Sequence, residues 1–383
     1  MKLFGGKQTE QRSSLPPVPR RRILATLVAV ACALAALTGG AALLLRPRPK
    51  TIAAEGSVPA QASIRPAVEP QRVLATPPPT EAPLETPEPV PEPPSRRGGS
   101  LSFILLGRPD PDSAADLLMA GRFDPETGSI DAVSIPRDTL VDVDWDIKKA
   151  ATLMKFDNDP ERLSEHLSGL LGFSPDRYLI LDAAAAAGLI DALGGVYYNA
   201  EQNFDYDDPY QDLHIHVPAG LQWLGGKDAV HVLRFLTGNN GTGYPDGDLG
   251  RIRTQQSLLG ALARQIAAAG TLPEEAGRIL AERAETNLTS AEFTGFAAAL
   301  SGMDAENLRF FTAPGTAVCI RGGYYYQLDP DEWLELVNRA LNPWSVPVKL
   351  SSLDILREFG EEGAVSTNGT VVPMDRFFNY DDF

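Results

Sequence analysis

The chain has 383 residues with 34 basic and 50 acidic side chains, a net charge of −16, and cysteines only at Cys32 and Cys319. The imbalance deepens along the chain, where residues 101–383 carry 21 basic against 43 acidic groups, a net of −22. Such a field repels a polyanion and argues against a nucleic-acid partner, and two cysteines in such different regions form no intrachain disulfide framework.

Residues 1–22 hold Lys2, Lys7, Arg12 and the run Arg20-Arg21-Arg22. The uncharged apolar run 23–45 follows; as a helix it would rise about 35 Å, enough for a hydrocarbon core of about 30 Å. A cleaved signal peptide has a shorter apolar region and a small-residue cleavage site, so a retained transmembrane helix is the better reading. The positive-inside bias then expects residues 1–22 in the cytoplasm and the bulk of the chain outside the cell membrane. Residues 46–100 are a proline-rich linker, with 12 prolines between positions 51 and 100. Such a segment buries too little surface to fold and stays extended, with an upper reach of about 150 Å.

The outer region is long enough for one well-cored domain. Leu101–Leu106, Ile130–Ile135, Tyr178–Leu181 and, less securely, Ala229–Leu233 have the length and composition of buried strands. Pro160–Leu171, Ala183–Leu193 and Arg251–Ala269 have helical length, with Gly194-Gly195 and Gly270 as stop signals. The expected fold is a layered α/β domain with a central mixed β-sheet flanked by helices, behind the transmembrane helix and linker. Leu213-His214-Ile215-His216-Val217 alternates with period two and predicts an exposed strand. His214 and His216 with the nearby Asp205, Asp207, Asp208 and Asp212 read as an acidic hairpin, a metal site being the lesser alternative. In Ala183–Ala187 the small side chains suit close packing of a helix on the sheet. Tyr324-Tyr325-Tyr326 and Pro330–Leu341 predict a strand and a helix.

Three arginines stand beside Gly- or Pro-marked turns: Arg137 in Ser134-Ile135-Pro136-Arg137-Asp138-Thr139, Arg234, and Arg251 in Asp248-Leu249-Gly250-Arg251. Guanidinium forks match phosphate geometry, and the third opens a predicted helix, a favourable place for an anion. Each arginine could instead serve a structural ion pair with Asp138, Asp248 or a nearby carbonyl. Gln255, one helical turn after Arg251, shares its face. There is no Gly-x-Ser-x-Gly elbow and no phosphate-loop motif.

By these motifs the chain resembles the LytR-CpsA-Psr family of cell-envelope phosphotransferases. The resemblance rests on Ile104-Leu105-Leu106-Gly107, Asp116, the Ser134–Thr139 motif, Asp191-Ala192-Leu193-Gly194-Gly195-Val196, the Gly220–Gly226 motif, Arg234 and the Asp248–Gln256 motif. It implies transfer of a glycopolymer from a polyprenyl-pyrophosphate carrier to peptidoglycan. It also implies Arg137, Arg234 and Arg251 as catalytic and substrate-binding cations, Gln255 as a further substrate contact, and Asp116 as ligand of a Mg²⁺ ion bridging phosphates. The alanine run would then widen the passage for the prenyl tail. Under this reading residues 101–305 are the family-like domain, 306–350 an appended α/β segment and 351–383 a loose acidic tail.

The chain departs from the family pattern at Pro109, where an Asp is usual, and at Ala114, Leu236 and Thr254, where arginines are usual. Those losses raise an alternative: a catalytically impaired protein that binds polyprenyl phosphates or wall glycans. A third class, an adhesive or scaffolding surface protein, would use the arginines structurally. The phosphate reading expects Arg137→Ala and Arg251→Ala to lower ligand affinity without lowering stability. It also expects arginine restored at Leu236 and Thr254 to raise that affinity.

Overall fold

A computed structural model describes residues 94–380 apart from positions 271, 272, 301, 302 and 361. The proposed transmembrane helix, the cytoplasmic tail and most of the linker lie outside the described residues. Among the described residues no helix is long and apolar enough to cross a membrane.

The centre is a six-stranded mixed sheet built from β1 (Leu101–Arg108), β2 (Leu117–Asp124), β3 (Ser129–Ser134), β4 (Arg177–Asp182), β9 (Glu285–Thr286) and β10 (Leu308–Thr312), in the order β10-β3-β2-β1-β4-β9. β1 runs antiparallel to β2 and parallel to β4, while β10 joins β3 in parallel. Alternation along β1 separates two faces, because successive side chains point to opposite sides of a pleated strand. Ile104 and Leu106 enter a core with Leu163 and Leu167 of α1 (Pro160–Leu171). Leu105 faces the other way, toward Leu117, Met119 and Leu259.

That second face carries the helices that form the site. They are α2 (Ala183–Ala192), α3 (Gly226–Arg234) and α4 (Asp248–Ala269). Between α2 and α3 lie two hairpin-like pairs, β5 (Val196–Ala200) with β8 (Gly220–Leu224) and β6 (Phe204–Asp208) with β7 (Leu213–Val217). The glycine motifs fix this region. Gly194 and Gly195 close α2 with φ of 87° and 81°, and a Cβ on Gly195 would stand 2.6 Å from the Leu224 carbonyl and the Trp223 ring nitrogen. A Cβ on Gly226 would meet the Ala187 carbonyl oxygen at 1.9 Å, so α2 and α3 touch backbone to backbone. Asp191 then accepts from the Gly226 amide at 2.7 Å and holds the start of α3.

Four expectations change. Ala229–Leu233 is helix, not strand: Ala229, Val230 and Val232 are buried on α3, whose remaining residues include Lys227 and Asp228. Segment 306–350 is not appended, because β10 is a strand of the central sheet. Its Arg309 grips buried Asp131 of β3 at 2.6 and 2.9 Å, and α7 (Pro330–Leu336) supplies Trp333 and Leu336 to the main core. Residues 351–383 are not a loose tail over their described part. β13 (Leu356–Phe359), β14 (Gly363–Ser366) and β15 (Val371–Pro373) form a small sheet that packs with Tyr325 of β12 (Gly323–Leu328) and Phe377. The linker also ends earlier than residue 100. Arg96 pairs with Asp176 through both terminal nitrogens and stacks over Trp344 at 4.4 Å.

Candidate functional site

The polar centre of the site is Asp116, the residue before β2. Its amide donates to the Gly107 carbonyl at 2.9 Å, which sets it at the end of the β1–β2 ladder. Arg137 arrives from the turn after β3 and Arg251 from the first turn of α4, and each puts Nη1 3.1 Å from Asp116 Oδ1. Arg234, the last residue of α3, places Nε 3.5 Å from Asp116 Oδ2. Three elements distant in sequence therefore deliver three guanidiniums to one carboxylate.

Asp248 is the second carboxylate. It accepts from Arg251 Nη2 at 2.6 Å and Nε at 3.0 Å, and from the Arg137 backbone amide at 3.1 Å. Sequence reading treated Asp248 only as a motif residue and alternative partner; the available signal was its position three residues before Arg251 in the same helical turn. Gln255 donates at 3.0 Å to both the Asp116 and Leu233 carbonyls, tying β2, α3 and α4 together. It thus acts on the protein rather than standing free beside the arginines. Three guanidiniums against two carboxylates leave the cluster with a net positive charge, and the buried Nε of Arg234 has no hydrogen-bond partner. A buried unpaired donor is costly unless a ligand or water meets it.

From this pole a cleft with a void of about 250 Å³ runs between the sheet and α2, α3 and α4. Leu105, Leu117, Leu181, Leu189, Val230, Leu259, Leu262 and Ile266 line it, with Asp116, Arg234 and Gln255 at the polar end. Ala183 and Ala186 also line it, whereas Ala185 is fully buried. The alanine run therefore combines close packing with an open wall.

Other cations stand elsewhere. Arg253 is engaged by Asp246 at 2.6 and 2.9 Å on the surface, and Arg321 donates to the Met374 carbonyl at 3.0 Å. Arg108 also lines the cleft, but its guanidinium is engaged by the Pro111 carbonyl, Asn158 and Glu285 rather than by Asp116. Thr254 is buried and its hydroxyl accepts from Tyr244 at 2.8 Å, so an arginine there would enter the packing rather than the cluster. Nor does the donor set suit Mg²⁺ held by protein ligands. Asp116 is already shared among three arginines, Pro109 has no carboxylate, and Asp110 folds back on the Asp112 amide and Ser113 hydroxyl. Mg²⁺ at a phosphate takes one or two carboxylates beside phosphate and water oxygens, and both oxygens of Asp116 already meet guanidiniums.

An α/β domain with a cationic pole on an apolar cleft is the class that this geometry defines. The chain belongs to the LytR_cpsA_psr family, whose model matches residues 84–341. It is 30% identical over 239 residues to the cell wall biosynthesis protein LcpA of Corynebacterium glutamicum, an alignment covering 55% of this chain and 44% of that protein. It is 23% identical over 236 residues to the polyisoprenyl-teichoic acid–peptidoglycan teichoic acid transferase TagV of Bacillus subtilis, covering 59% of each. The chain thus spans about half the length of these relatives. The crystal structure of B. subtilis TagV superposes with a TM-score of 0.54 at 20% identity, over 63% of this chain and 96% of that one. Protein gbs0355 of Streptococcus agalactiae gives 0.54 at 18% identity, over 63% and 86%. These likenesses establish the fold, and the mixed sheet flanked by helices agrees with the expectation from sequence.

Proposed function

We propose that the chain is a membrane-anchored, extracytoplasmic phosphotransferase that moves a glycopolymer from a polyprenyl-pyrophosphate carrier to peptidoglycan. The observation that carries this reading is the convergence of Arg137, Arg234 and Arg251 on Asp116, which with Arg234 lines the polar end of an apolar cleft. An amphiphile with an anionic head fits both halves: the prenyl chain lies along Leu189, Val230 and Leu262, and the pyrophosphate lies against the guanidiniums. The named activities of LcpA and TagV agree with it. The apolar run 23–45 supports the anchor.

In the reaction the acceptor hydroxyl oxygen forms a bond to the glycan-bearing phosphorus as the bond to the bridging oxygen breaks. Prenyl monophosphate leaves and the hydroxyl proton passes to solvent. Fixed guanidiniums stabilise charge that grows on the leaving phosphate. The arginines supply this charge without a step through Mg²⁺.

A binding protein without turnover is the second reading, favoured by Pro109, Ala114, Leu236 and Thr254, which remove one acid and three cations from the family pattern. The two separate when the full chain in detergent is given a polyprenyl-pyrophosphate glycan and peptidoglycan fragments. Release of prenyl phosphate, persisting in EDTA, is the expected result; tight binding with no release would establish the second reading.

A further inference from the structure

The β6–β7 hairpin carries chemistry that the cleft does not use. Phe204, Leu213, Ile215 and Val217 bury one side of it, and the alternate residues face solvent. The antiparallel register sets Asp207 opposite His214 and Asp205 opposite His216. One exposed face therefore sets two carboxylates of β6 against two imidazoles of β7, a pairing that the alternation of either strand alone does not reveal.

Asp207 Oδ1 is the hub. It lies 2.5 Å from His214 Nδ1 and 3.3 Å from His216 Nε2, and ligand atoms of Asp207, His214 and His216 lie within 4.8 Å of one another. Each ring's other nitrogen meets a second carboxylate: His216 Nδ1 is 2.7 Å from Asp205 Oδ1, and His214 Nε2 is 3.6 Å from Asp212 Oδ1. A carboxylate behind an imidazole fixes the tautomer and ring orientation for metal ligation. Asp207 itself is held from behind, since Asn239 accepts from its amide at 2.6 Å and donates to its carbonyl at 2.8 Å.

We propose that Asp207, His214 and His216 form a site for a borderline transition-metal ion, Zn²⁺ being the reference ion, with water completing its sphere. Two imidazoles and a carboxylate suit zinc and do not suit magnesium or calcium, which take oxygen ligands. Ligand atoms about 2 Å from a tetrahedral zinc stand about 3.3 Å apart. The His216–Asp207 separation already has that value, and His214, half-exposed, reaches it by a small swing of its ring.

The test uses the untagged full chain in detergent and ZnSO₄ alone, by calorimetric titration against a competing chelator. One zinc per chain is expected, with affinity lowered at least about tenfold in His214→Ala and in His216→Ala. Asp205→Asn, which removes only the carboxylate behind His216, is expected to weaken it about tenfold. Circular dichroism of each variant should match the parent, because all these side chains are exposed. Failure to bind zinc stoichiometrically, or unchanged affinity in the double histidine variant, would overturn the site. Displacement of zinc by millimolar Mg²⁺ would overturn its assignment as a transition-metal site.

Discussion

Arg251 and Arg234 touch the same carboxylate yet differ in what their loss should do. The Arg251 side chain is 2% exposed and compensates both Asp116 and Asp248, so Arg251→Ala strips Asp248 of its guanidinium and leaves Asp116 to Arg137 and Arg234. A loss of about 3 kcal/mol in folding stability is expected together with lost ligand binding. The buried double pairing thus points away from the expectation that removing this arginine is silent for stability. Arg234 pairs at 3.5 Å with its Nε unbonded. For Arg234→Ala we expect a change in stability under about 1 kcal/mol and a loss of roughly 1.5 to 3 kcal/mol in pyrophosphate binding. Thermal unfolding and lipid titration on the two variants check both; equal destabilisation by the two would contradict the distinction. At this scale the sequence singled out, by their Gly- or Pro-marked turns, three arginines that the structure brings to one carboxylate. It did not reveal that Asp116 is their common counter-ion or that Thr254 turns inward to Tyr244.

Among the elements, the fit of α3 against α2 decides whether the cleft exists. Gly226 has no room for a side chain beside Ala187, and forcing one there must shift α3, which carries Val230, Leu233 and Arg234. Gly226→Ala is therefore expected to cost about 1 to 3 kcal/mol from overpacking and to reduce lipid affinity. Unchanged stability and affinity would mean that α3 shifts freely. The strand reading of Ala229–Leu233 failed because a short apolar run does not distinguish a strand from a buried helical turn. β2, in the middle of the sheet, was missed altogether: its Leu-Leu-Met-Ala-Gly start is buried on both sides and shows no alternation. By contrast β1, β3, β4, α1, α2 and α4 were legible from length, composition and stop signals.

Across the whole molecule, an ion pair joins β4, the strand beside edge strand β9, to α6 (Ser290–Leu300). Arg177 of β4 bonds Glu292 through two nitrogens and holds its carboxyl down at about 2, below the usual carboxylate range. A depressed folded value means that the stabilisation is present above the unfolded value near 4.5 and is lost as pH falls through about 2. Glu292→Gln should thus lower the unfolding temperature by a few degrees at pH 7, and the deficit should shrink as pH falls from about 4.5 toward 2. A deficit independent of pH would argue against the pair. The parallel seating of β10 on β3 has a consequence of another kind, for the order of folding. β1, β2 and β3 pair with near neighbours and close short loops, whereas residues 308–312 must return to residues 130–134 across most of the domain. Such distant pairing is slow to form. A chain emerging from its N-terminus therefore exposes the open edge of β3 until the last third of the domain has been made, and that interval is when it is most open to mispairing with another copy.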